Sequence, residues 1–188
     1  SNRHLQAQSH TIYRAVYQQF VGHVRRPVVL IDWSDLDTHK GCFLLRASVA
    51  FNGRGIAIYQ EVHGANTKEK RSTHRDFLTK LSDIINKDTT PIIVTDAGYK
   101  TTWLRQVIAL GWDYVGRVRK PMMYADKAAQ WQHISELYKQ ATTRPKGFSS
   151  SICRNQPLAC NLVLYKSKNK GRHSLTQHNK PRQSKRSK

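Results

Sequence analysis

PVVLIDWSD, residues 27–35, and PIIVTDAGYK, residues 91–100, are the two stretches that decide how this chain folds. Each opens on a proline, runs through apolar and mostly β-branched residues, and reaches an aspartate: Asp32 in the first, Asp96 in the second. An unbroken apolar run of this kind reads as a strand buried in the middle of a parallel sheet, ending here at Asp32 and just before Asp96. Between them, residues 67–86 change period, with Phe77, Leu78, Leu81, Ile84 and Ile85 forming one apolar stripe on a helix whose other face is charged. A helix joining two such strands suits a parallel, adjacent pair. As neighbours, the strands carry both aspartates to the same C-terminal edge, where ligands of open α/β sheets collect.

Outward from this pair, CFLLRASVAF (42–51) and GIAIYQEVH (55–63) flank Asn52-Gly53, a strong signal for a tight hairpin. Alternation in the second strand puts Ile56, Ile58 and Gln60 on one face and Ala57, Tyr59 and Glu61 on the other. Upstream, Ile12, Ala15, Val16 and Phe20 recur at helical spacing, and Gly22 is a plausible stop. Downstream, TTWLRQVIAL (101–110) predicts a helix closed by Gly111, and WDYVGRVR (112–119) a further strand. The expected fold is α/β, in the order strand, strand, strand, helix, strand, helix, strand. Beyond Arg119 the pattern weakens: QHISELYKQ (132–140) reads as a helix and ACNLVLYK (159–166) as a strand. From Lys166 onward apolar residues are scarce, and the tail is expected to order only on binding. No internal repeat is evident.

Charge points to a polyanionic partner. The 188 residues carry 32 Lys and Arg against 12 Asp and Glu, a formal net charge of +20. Residues 1–136 hold 19 of the basic and all 12 acidic side chains, whereas residues 137–188 hold 13 basic and no acidic ones. Such a surface gains affinity for nucleic acid by releasing counterions, and the tail lacks the amphipathic face that a membrane would need. No apolar run is long enough to span a bilayer and no signal-peptide pattern opens the chain, so a cytoplasmic, DNA-associated protein is expected. Cys42, Cys153 and Cys160 have neither disulfide-framework nor zinc-site spacing, and the nine histidines read as surface or DNA-facing groups.

Two carboxylates at adjacent strand ends are hard oxygen ligands suited to Mg²⁺, with Mn²⁺ as a possible substitute. In phosphodiester chemistry paired ions about 3.5–4 Å apart stabilise the attacking and leaving oxygens. Either aspartate alone reads more readily as a turn residue closing a strand, and only the two together, each ending a buried apolar strand in a strongly basic chain, bring the metal reading level with it. Lys100, Arg105, Arg117 and Arg119 lie near the proposed edge or on the final strand and are candidate phosphate contacts, though solvated surface charge accounts for any one of them. Trp33, Trp103, Trp112 and Trp131 read as packing residues.

VVLIDWSD, LLRASVAFNGR, PIIVTDAGYK and LGWDYVGRVR, in that order, resemble the catalytic core of bacterial Asp-Asp-Glu insertion-sequence transposases. The similarity is to the insertion-sequence-four family, on the branch that includes the insertion-sequence-ten transposase, and runs from about Arg3 to near Arg172. The resemblance implies a ribonuclease-H-like mixed sheet and Mg²⁺-dependent cut-and-paste transposition. The implied partners are double-stranded DNA, as transposon ends and target, and a second copy in a synaptic homodimer. It assigns Asp32 and Asp96 as the first two catalytic, metal-binding acids. It also implies a layout of an N-terminal helix (1–26), a partial catalytic core (27–120), and the start of a β-rich insertion with a basic tail (121–188).

The family's third acid sits in a helix with the signature Tyr, two residues, Arg, three residues, Glu, six residues, Lys, and that signature is absent here. Glu61, Glu69 and Glu136 are the only glutamates, and none has that context. The expectation is therefore a truncated transposase core, inactive alone. The alternative is a non-catalytic DNA-binding remnant that interferes with an intact transposase. Asp35-Leu-Asp37-Thr38 also mimics the nucleophile motif of haloacid-dehalogenase-type phosphohydrolases. That motif needs its strand to run into the first Asp, whereas the apolar strand here is expected to end at Asp32.

Overall fold

The computed structural model describes residues 3–37, 39, 41–126, 130–167 and 173–178. The elements are α1 (Arg3–Val21), β1 (Val28–Asp35), β2 (Cys42–Phe51), β3 (Arg54–Gly64), α2 (Arg71–Ile84), β4 (Ile92–Thr95), α3 (Thr101–Ala109) and β5 (Asp113–Arg117). After them come β6 (Met123–Ala125), β7 (Trp131–His133), a 3-10 helix (Ile134–Gln140), β8 (Lys146–Ile152), β9 (Leu158–Lys166) and β10 (His173–His178). From β1 to β5 this is the expected strand, strand, strand, helix, strand, helix, strand order, and the fold is mixed α/β, as a ribonuclease-H-like core requires. Two compact units emerge: Ser1–Thr95 with Thr102–Asp113, and Asp96–Thr101 with Tyr114–Lys188.

In the first unit the strands lie in the order β3-β2-β1-β4. β1 pairs antiparallel with β2 and parallel with β4, in the register Val28 to Ile92 through Ile31 to Thr95. The hairpin turn is as expected: Asn52 and Gly53 both have positive φ, 46° and 76°, matching the twist of the strands they join. One face of the sheet is closed by helices. Val29, Ile31, Leu45, Ala47, Val49 and Ile93 are almost fully buried, as are Phe77, Leu78, Leu81 and Ile84 of α2. Tyr59 bridges the layers, its ring 5.4 Å from Tyr13 of α1 and 5.0 Å from Phe77. The other face of β1 is open, with Val28 and Leu30 each 42% exposed.

Three expectations need correction. β1 does not stop at Asp32: it runs on to Asp35, because β2 continues to pair with it after the shorter β4 has ended. The strict alternation in β3 fails as well, since a register shift opposite Ala47 and Ser48 leaves both Ile58 and Tyr59 buried. Glu61 and His63 then follow Tyr59 toward the helices. Finally, the basic tail contains a strand.

In the second unit β10 lies between β5 and β9, and the strand order is β5-β10-β9-β8-β6-β7. HSLTQH has little apolar content to announce a strand, but ladders on both sides satisfy its backbone. The rest of the tail, residues 168–172 and 179–188, lies outside the described residues. Ile134, Leu137, Ile152, Leu158, Cys160, Leu162 and Leu164 form the core of this unit.

The two faces of β1 should respond differently to truncation. Phe77→Ala empties a site under the closed face and should cost about 3–5 kcal/mol of unfolding free energy. Leu30→Ala, on the open face, should cost no more than about 1 kcal/mol. Urea denaturation followed by circular dichroism measures both.

Candidate active site at the strand ends

The parallel ladder sets where each aspartate leaves its strand. Its last rung pairs Ile31 with Thr95, and the next residue along each chain is Asp32 or Asp96. Both are solvent-exposed. Asp32 lies within the continuing β1–β2 ladder, directly opposite Arg46. Asp96 stands in the turn after β4, where its Oδ1 accepts the N–H of Gly98 at 2.8 Å. A Cβ on Gly98 would come within 3.1 Å of that oxygen, so the missing side chain lets the turn close around the carboxylate.

The four basic candidates are all exposed. Arg105 belongs to α3 in the first unit, while Lys100, Arg117 and Arg119 belong to the second. Arg46 is not among the sequence candidates: an arginine in an apolar strand, LLRAS, is a visible signal, but only the register shows that it stands beside Asp32. Trp103 and Trp112 are buried, as packing residues should be.

The histidines do not all face solvent. His74 is only 8% exposed, and its Nε2 accepts the indole N–H of Trp33 at 3.2 Å. The Trp103 ring packs edge-on to it at 5.0 Å, and the His63 ring lies 5.5 Å from that of Trp33. The spacing 74, 77, 78, 81 places His74 on the apolar stripe of α2, which was legible in the sequence. Burial, with His63 nearby, holds the His74 pKa down to about 4. The residue next to Asp32 is thus anchored by a neutral imidazole.

Two of the three glutamates are engaged elsewhere. Glu61 accepts hydrogen bonds from the Tyr59 hydroxyl (2.6 Å), the His63 imidazole (2.9 Å) and the Lys80 ammonium (2.6 Å). Burial works against its charge, but these donors outweigh that and hold its carboxyl below the usual range. Glu136 is paired with Lys139 at 2.9 Å in the second unit. Glu69, at φ 59°, lies in the loop before α2. Among the described residues no group of three or more His, Cys, Asp or Glu is placed to hold a metal ion. Asp37 is occupied too: its carboxylate oxygens accept the N–H groups of Gly41 (2.8 Å) and Cys42 (3.0 Å), closing the β1–β2 loop. With β1 reaching Asp35, strand length no longer argues against the phosphohydrolase motif, but this use of its second aspartate does.

A family model described as a transposase DDE domain matches residues 24–187. The chain belongs to the transposase DDE domain family. No curated protein matches it. Membership in the DDE family gives it a transposase-type function, with DNA as the substrate class and a divalent metal as the family's general requirement. Asp32 and Asp96 both fall inside the matched segment. No helix among the described residues is long and apolar enough to cross a membrane.

His74 yields a test with a defined sign. An unfolded chain takes up a proton on this imidazole near pH 6.5, whereas the folded chain resists it down to about 4. Its contribution is therefore fully present above the unfolded pKa and is lost as pH falls toward 4. Stability should drop by on the order of 1–2 kcal/mol between pH 7 and pH 5, and His74→Phe should flatten most of that slope. Urea midpoints at the two pH values measure it.

Proposed function

We propose that this chain is a catalytic-core portion of an insertion-sequence-four-type, cut-and-paste DNA transposase, close to the insertion-sequence-ten branch. In this reading Asp32 and Asp96 bind one Mg²⁺, with Mn²⁺ able to replace it. The observation that carries the proposal is the parallel register of β1 and β4, which brings both strands to an aspartate after the same rung, within a chain of the DDE family. Two exposed carboxylates are hard, anionic oxygen donors, the class that Mg²⁺ selects while keeping several waters. Bound there, the ion would stabilise charge developing on phosphodiester oxygens.

The chain's own groups have separate tasks. The Gly98 N–H, by engaging Oδ1 of Asp96, orients that carboxylate. Trp33, held by His74, fixes the end of β1 from the closed face. Lys100, Arg105, Arg117 and Arg119 hold the DNA backbone, whose phosphates attract the basic surface whatever the sequence. A second copy completes a synaptic complex on paired ends.

We read the third carboxylate of the reaction as one that these 188 residues do not supply. The family's glutamate signature is absent, and Glu61 and Glu136 are committed to Lys80 and Lys139. The same observation favours a second reading, a DNA-binding protein that occupies ends or partners of an intact transposase without cutting. Both readings share the metal pair, DNA binding and a lack of cleavage by this chain alone.

The expected outcome is Mn²⁺ binding, read by electron paramagnetic resonance, that weakens about tenfold or more in Asp32→Asn and in Asp96→Asn. Unchanged affinity in either variant would remove that aspartate from the site. Incubated with Mg²⁺ and cognate ends, the purified chain should give no strand transfer; efficient cleavage would refute the missing-carboxylate reading. Added to an intact transposase, it should lower the rate of end cleavage if the second reading holds.

A further inference from the structure

A row of three polar side chains crosses the open face of the first unit. The register pairs Asp32 of β1 with Arg46 of β2, and Arg46 with Gln60 of β3. Adjacent rows on either side are neutral: Leu30, Ser48 and Ala57 before it, Ser34, Leu44 and Val62 after it. All three members of the polar row are exposed. The Arg46 Nε–H donates to Gln60 Oε1 at 3.2 Å, so the guanidinium is tethered at its inner nitrogen.

From this arrangement we propose that Arg46 is a DNA-backbone contact, a phosphodiester-binding arginine one strand away from Asp32, with Gln60 as its positioning residue. Directly opposed residues on neighbouring antiparallel strands lie within about 5.5 Å of each other. A phosphate brought to Asp32 is therefore within an arginine side chain's reach of β2. Arginine suits the task because its planar fork can donate to two phosphate oxygens together. Gln60 takes only the Nε–H, and the terminal nitrogens are the pair that forms such a fork. A charge placed merely to solubilise the sheet would not need this tether. The inference rests on the transposase reading for its ligand, DNA, and for the phosphate brought to Asp32.

The test measures binding of a fluorescein-labelled duplex of arbitrary sequence by anisotropy, across a salt series with EDTA present. Without divalent ions the result does not depend on the Asp32–Asp96 site. Arg46→Gln should raise Kd by about three- to tenfold near 0.1 M salt, and should flatten the log Kd against log salt slope by about 1. Arg46→Lys keeps the point charge and should restore the slope while recovering only part of the affinity. Thermal melting of each variant, expected to match the parent, separates a lost contact from a lost fold. If the parent binds with a steep salt slope and Arg46→Gln shows the same slope and Kd, the inference is wrong and the transposase reading stands. If the parent itself shows no salt-dependent affinity for the duplex, the DNA reading fails and takes Arg46 with it.

Discussion

The register between β1 and β4 is the constraint on which the first unit depends. Only four rungs long, it joins strands separated in sequence by a hairpin and a helix, and it has little tolerance for slippage. A slip of β4 by one residue would turn Ile93 out of the core and bring Ile92 and Val94 in. That would abandon the contacts that the α2 stripe makes with the closed face. The burial of Phe77, Leu78, Leu81 and Ile84 therefore selects the register, and the register selects which residue follows the last rung on each strand. Which residues stand at the edge depends on packing in the core.

Much of this was legible because the controlling signals are local. The apolar runs, the 3.6-residue stripe of α2 and the paired positive φ of Asn52 and Gly53 each follow from a few neighbouring residues. Gly111, at φ 77°, likewise closes α3 as its position suggested. What escaped is set by partners distant in sequence. The extra length of β1 exists because β2 outlasts β4, and apolar pattern alone sees only the doubly buried portion. The bulge in β3 depends on a cross-strand mismatch, and β10 is held by ladders to β5 and β9 more than by its own composition.

The site divides the same way. Asp32 and Asp96 stand out as candidates because each ends an apolar run, a feature read along the chain. His74 could have been found by spacing alone; it was passed over because histidine in a basic protein suggests solvent or DNA. Arg46 was beyond reach for another reason. Nothing in LLRAS says that its arginine lies across from Asp32 and not one rung away, since that fact belongs to the β1–β2 register.

The sheet thus separates stability from chemistry by face. On the closed side several polar groups pair with one another: Trp33 donates to His74, and Glu61 gathers Tyr59, His63 and Lys80. On the open side the polar row of Asp32, Arg46 and Gln60 is exposed between neutral rows, and its two charged members, Asp32 and Arg46, keep most of their hydration until a ligand replaces it. Because successive residues of a strand face opposite ways, the neighbours Asp32 and Trp33 can serve these opposite ends. One is exposed to solvent while the other anchors the same backbone through His74. A rigid strand with one residue in each environment is a simple way to hold a carboxylate still without burying it.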